Sequence, residues 1–112
     1  MEKSWAVTPQ KIDRAVRRIV RMASPRRIIL FGSAARQGGG QAPRDADLLV
    51  VSRRRVASPR KASIRLRRAI RGITMPVDIL VVSENRLREL ADQPGLVYRE
   101  ALRGGKVVYE AA

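Results

Sequence analysis

Hydrophobic positions along this chain repeat with two different periods, and the switches between them mark the elements. Ile12, Val16, Ile19, Val20 and Ala23 fall on one face of a helix, while Arg14, Arg17, Arg18 and Arg21 fall on the opposite face. Thr8 is a capping residue with Pro9 at the first helical position. Ser24-Pro25 ends the helix, because the residue before a proline avoids the helical conformation. Arg27 to Phe31 then reads as a buried strand stopped by Gly32, and residues 37 to 43 as a flexible glycine-rich loop. Asp47 to Val51 is apolar on both faces, which predicts a strand interior to a sheet.

The same grammar repeats further on. Ser58-Pro59 is a second cap signal, followed by an apolar stripe at Ala62, Leu66, Ala69, Ile70 and Ile73. Arg60, Lys61, Arg67, Arg68 and Arg71 take the other side, and Gly72 closes the helix. Val77 to Val82 is a third strand. Ser83 and Glu84 open a short helix through Ala91, and Pro94-Gly95 punctuates before a helix from Leu96 to Leu102. Gly104-Gly105 turns the chain into a last strand, Lys106 to Tyr109, placed at a sheet edge. The order α-β-β-α-β-α-α-β predicts an α/β fold, a small mixed β-sheet with helices packed on it. With no internal repeat and no long linker, residues 1–112 read as one domain. Its parts are an N-terminal helix (1–25), a core (26–83), and C-terminal helices with an edge strand (84–112).

Composition narrows the chemistry. Hydrophobic residues make up 45% of the 112 and aromatic ones only 4%, so the core must be built from Ile, Leu, Val and Ala. There is no cysteine and no histidine, which excludes disulfides, thiolate metal sites and the commonest general base. Catalysis in this chain falls to carboxylates, Lys, Arg, Tyr, Ser or a bound metal. No apolar run reaches membrane-spanning length and no signal segment opens the chain, so a cytoplasmic location without membrane contact is expected. The net charge is +14, from 24 Lys+Arg against 10 Asp+Glu, a field that attracts polyanions. Twenty of those cations are Arg and four are Lys, which is also what a GC-rich genome writes. Aromatic residues for base stacking are nearly absent, so nucleic acid is not the favoured partner.

The unusual feature is Asp45-Ala46-Asp47 at the mouth of an apolar strand. Residues i and i+2 of a strand share a face, so two carboxylates stand side by side. That arrangement costs stability unless a cation offsets it, and oxygen ligands of this kind suit Mg²⁺ or Mn²⁺. A plain strand-end Asp-x-Asp is the bland alternative. Two further features support the metal. Phe31-Gly32-Ser33 directly after a buried strand offers backbone N–H groups and a hydroxyl to a phosphate, with Arg36 nearby to add charge. Asp78 opens a third apolar strand and joins the other two carboxylates if that strand lies beside Asp47–Val51. Three carboxylates beside a phosphate cradle make a two-metal phosphoryl-transfer arrangement.

Gly32-Ser33, a spacer, Asp45-x-Asp47 and then Asp78 on a later strand resemble the nucleotidyltransferase signature of the DNA polymerase beta superfamily. The short length and the tail from Gly104 to Glu110 are similar to the minimal nucleotidyltransferase domain proteins. The resemblance runs from about Arg27 to Glu110 and implies a palm-like nucleotidyltransferase fold with its catalytic core over 26–83. It implies two Mg²⁺ ions, replaceable by Mn²⁺, and ATP as substrate. Asp45 and Asp47 would bind both metals, and Asp78 would bind the catalytic one and help activate the attacking hydroxyl. Gly32 and Ser33 would hold the β- and γ-phosphates. It also implies a partner: a HEPN-domain ribonuclease toxin, silenced by transfer of AMP onto a tyrosine, in a hetero-oligomer with this chain as antitoxin. The alternatives are neutralisation by binding alone, through the Arg faces, or nucleotidyl transfer to RNA or a small molecule. Two positions depart from the pattern. Arg44 stands where a small polar residue is usual, and can either weaken metal binding or grip the triphosphate. The spacer is long and glycine-rich, with Gly38-Gly39-Gly40.

Overall fold

The computed structural model describes residues 5–36, 43–91, 93 and 97–112. The elements run α1 (Pro9–Ala23), β1 (Arg27–Phe31), a turn of 3₁₀ helix (Gly32–Ala35), β2 (Ala46–Ser52) and α2 (Pro59–Ala69). They continue with β3 (Val77–Ser83), α3 (Glu84–Leu90), α4 (Val97–Gly104) and β4 (Lys106–Glu110). This is the predicted order. Of the predicted loop at 37–43 only Pro43 is described, and Gly38–Gly40, Pro94, Gly95 and Leu96 lie outside the described residues.

Both predicted caps form, and Ser83 caps α3 as well. Thr8 Oγ1 accepts from the Lys11 N–H, Ser58 Oγ from Lys61 and Ser83 Oγ from Arg86, each at 3.2 Å. Each satisfies a first-turn N–H that has no partner inside its helix. Ser24 stops α1 in a left-handed conformation, with its N–H on the Val20 carbonyl.

The four strands form one mixed sheet in the order β3-β2-β1-β4. β2 is interior and β4 an edge, as the patterning predicts. β1 pairs antiparallel with β2 and with β4, whereas β2 and β3 are parallel. Alternation along each strand feeds two cores. Ile28, Leu30, Leu48, Val50, Ile79 and Val81 face α1 and α2. Ile29, Phe31, Leu49, Val51 and Val82 face the other way, with Leu87 of α3 and Ala101 of α4. A strand covered on both sides has no polar face, which is why β2 reads as continuous apolar sequence. α2 is tied to the outer edge of the sheet by Ser63, whose hydroxyl donates to the Ile79 carbonyl of β3 at 2.6 Å.

Two details depart from the pattern reading. On α1 the buried arc is Ala15, Val16 and Ile19. Ala23 is exposed, because the last turn runs past the contact. Ala15, fully buried, has a side chain small enough to let helix and core approach closely. On α2 the helix ends at Ala69, and the chain turns through Gly72 at φ +94°. Ile70 and Ile73 reach the core from that turn rather than from a continuing helix. Among the described residues no helix is long and apolar enough to cross a membrane.

Candidate functional site

The parallel register of β2 and β3 sets Asp47 directly beside Asp78. Asp45 precedes Asp47 by two residues and shares its side of the chain. That side is the one whose next members, Leu49 and Leu80, belong with α3 and α4. The carboxylates therefore stand where this apolar layer ends. One oxygen from each of Asp45, Asp47 and Asp78 lies within 4.8 Å of the other two. Asp45 and Asp47 are half-buried and Asp78 is exposed.

Such crowding acts on Asp47. Burial pushes its carboxyl above the usual range, and the charges of Asp45, Asp78 and Glu100 push it the same way. Glu100, on α4, is a fourth carboxylate in this field that the sequence reading does not single out. Its helix packs over the end of β1, so it reaches the site by tertiary packing and not by any motif.

Gly32 sits against the same carboxylate. Its φ is +73°, and a Cβ there would collide with Oδ2 of Asp47. This follows from the antiparallel register, which pairs Phe31, the residue before it, with Asp47. Glycine is required at position 32 twice over, by conformation and by space. Ser33 is half-buried in the 3₁₀ turn, and its hydroxyl makes a long contact of 3.5 Å with the Asp45 carbonyl. Arg36 caps that turn through its backbone, N–H to the Ser33 carbonyl at 3.3 Å, and is exposed. Its guanidinium forms no ion pair among the described residues, and the cation that does meet the cluster is a different one.

That cation is Arg67. Its Nη2 donates to Asp78 Oδ1 at 3.0 Å. The sequence assigns Arg67 only to the outer side of α2. Ser63 explains the geometry, since residues four apart on a helix point the same way. Once the Ser63 hydroxyl grips β3 at Ile79, Arg67 one turn on overlies Asp78. No spacing rule finds this pair, because it depends on how α2 lies on the sheet edge. Arg44 is exposed beside Asp45.

The structure thus gathers Asp45, Asp47, Asp78, Gly32 and Ser33 at one end of the sheet. Three hard oxygen donors converge, one with a raised carboxyl pKa, which is a donor set that could hold a divalent cation. In comparisons with known proteins, no family model matches this chain and no curated protein matches it.

Proposed function

We propose that this chain is a Mg²⁺-dependent nucleotidyltransferase with a palm-like fold, and that it transfers AMP from ATP to a tyrosine hydroxyl of a partner HEPN-domain ribonuclease toxin. The observation that carries this reading is the convergence of Asp45, Asp47 and Asp78 within 4.8 Å beside Gly32-Ser33. The donor set fits the ion. All three ligands are carboxylate oxygens. Burial first, and then the neighbouring charges of Asp45, Asp78 and Glu100, raise the Asp47 pKa, and a divalent cation offsets the repulsion among them.

In this reading Asp45 and Asp47 hold both metals, and Asp78 holds one of them and takes the proton of the attacking hydroxyl. The metals, when bound, neutralise phosphate charge and orient the α-phosphate. The chain's own work is positioning. Gly32 lets the backbone come close to the phosphates, Ser33 offers its hydroxyl, and Arg36 or Arg44 supplies positive charge. The tyrosine oxygen forms a bond to the α-phosphorus as the bond to pyrophosphate breaks. Most of the acceleration comes from alignment and charge neutralisation, so a chain without histidine loses nothing essential.

The test is the intact mass of the protein encoded beside this one, co-expressed and incubated with Mg²⁺ and ATP. Wild type is expected to add one or more AMP units to that partner, and Asp47→Asn none.

One observation favours a second reading. Arg67 already pairs with Asp78, so part of the cluster's charge is offset without any metal. A chain that neutralises its partner by binding alone would keep that pair. It would bind the partner equally well as Asp47→Asn, with no mass gain in either form.

A further inference from the structure

The opposite end of the sheet carries a second feature that the carboxylate site does not use. A groove of about 910 Å³ opens where β2 ends, between the last turn of α1 and the first turns of α2. Its floor is apolar, with Val50, Val81 and Leu66. Arg53, Arg54, Arg55, Lys61 and Arg65 line it, and among the described residues no acidic one does. None of these five cations forms an ion pair among the described residues, although six other pairs form elsewhere. Grouping so many like charges around one concavity is unfavourable by itself and becomes favourable with an anion inside it.

We infer that this groove binds the phosphate backbone of a single-stranded nucleic acid. Five cations exceed what one carboxylate or one monophosphate needs, whereas a strand brings a phosphate with every nucleotide. Four of the five are Arg, whose planar fork pairs with phosphate oxygens in two-point contacts. The N-terminal turn of α2, capped by Ser58 at the groove wall, adds its positive end. Among the described residues no aromatic one lines the groove, so it offers no stacking platform for bases. Recognition then rests on the backbone, with little dependence on sequence and a strong dependence on salt. This site is separate from the carboxylates and does not depend on the transferase reading.

The experiment is fluorescence anisotropy of labelled twelve-residue oligouridylate and oligothymidylate with the full chain over a series of salt concentrations. Three proteins are compared: wild type, Arg53→Ala/Arg54→Ala in the groove, and Arg14→Ala/Arg103→Ala as a control with the same net charge. All four positions are exposed, so the fold is expected to persist, and circular dichroism checks it. Wild type is expected to bind, with affinity falling linearly in log–log salt. The groove variant is expected to bind about tenfold more weakly at low salt, with a slope shallower by about 1.4, at roughly 0.7 for each lost single-strand phosphate contact. The control is expected to change less than threefold. A preference for the uridylate or the thymidylate identifies RNA or DNA as the source of the strand. Equal weakening by the two variants would show that overall charge, not the groove, is responsible and would overturn the inference. So would failure of both oligonucleotides to bind at low salt. Poly-glutamate binding as tightly as the oligonucleotides, with the same loss in the groove variant, would overturn it in favour of an acidic protein segment.

Discussion

Gly32 and Asp47 occupy each other's space: the Asp47 carboxylate lies where a side chain at position 32 would begin. The relationship links the end of β1 to the start of β2, and so ties the turn after a buried strand to the candidate metal cluster. Gly32→Ala meets two penalties. The left-handed conformation at φ +73° costs roughly 1–2 kcal/mol for a residue with a Cβ, and crowding against Asp47 adds about 1–3 kcal/mol. Urea unfolding is expected to show a loss of about 2–5 kcal/mol, the sum of the two. Adding Asp47→Ala on that background should recover the crowding part and leave the conformational part. If the two substitutions prove strictly additive, the contact does not carry the cost.

Asp47→Asn should stabilise the metal-free protein. Asp78 lies directly beside it in the parallel register, and removing one of two facing like charges is worth up to about 1 kcal/mol. The effect depends on pH. The folded-state pKa of Asp47 is raised above its ordinary 3.8 by burial, then by Asp45, Asp78 and Glu100. Between those values the folded state holds more protons than the unfolded one, so this group makes wild-type stability fall as pH rises. The advantage of the variant should be absent at acid pH below both values and largest at neutral pH. Urea titrations of both proteins at the two extremes check this, and an advantage greatest in acid would refute it. Mn²⁺ at neutral pH is expected to raise the melting temperature of wild type and leave the variant unmoved.

Arg67→Ala separates stability from metal affinity. The Arg67–Asp78 pair is solvent-exposed on both sides, and such pairs contribute about 0–1 kcal/mol. Its guanidinium nevertheless competes with any cation for an Asp78 oxygen 3.0 Å away. The variant is expected to unfold within about 1 kcal/mol of wild type while binding Mn²⁺ several-fold more tightly in calorimetry. Weaker Mn²⁺ binding would mean that Arg67 holds Asp78 in place for the ion.

Two adjacent glycines should answer differently to the same change. A Cβ at Gly105 would run into the Ala101 carbonyl oxygen and the Ile29 side chain, whereas none of the described residues lies within 4 Å of one at Gly104. Gly105→Ala is expected to cost about 1–3 kcal/mol by overpacking. Gly104→Ala, inside α4, is expected to be neutral or to gain about 0.5–1 kcal/mol from the lower entropy of the unfolded chain. Thermal melts of the two variants suffice, and equal melting temperatures would contradict the close packing of the α4–β4 turn on β1.

Much of this architecture is local and therefore readable from the chain. Thr8-Pro9 and Ser58-Pro59 start helices because a capping oxygen and a fixed φ act within a few residues. The apolar run after Asp47 makes β2 interior because only a strand covered on both faces has no polar side. Asp45 and Asp47 share a face because the strand period is two, and Gly32 marks the end of β1 because glycine interrupts a buried apolar run. What tertiary structure alone decided is who meets whom across elements. The parallel β2–β3 register brings Asp78 to Asp47, the Ser63 anchor swings Arg67 onto Asp78, and α4 adds the charge of Glu100. The same packing brings Lys61 and Arg65 of α2 beside the consecutive Arg53, Arg54 and Arg55 around one groove, and encloses Gly105. Periodicity fixes the direction in which a side chain points relative to its own element, whereas long-range contacts depend on register and docking, which no local pattern encodes.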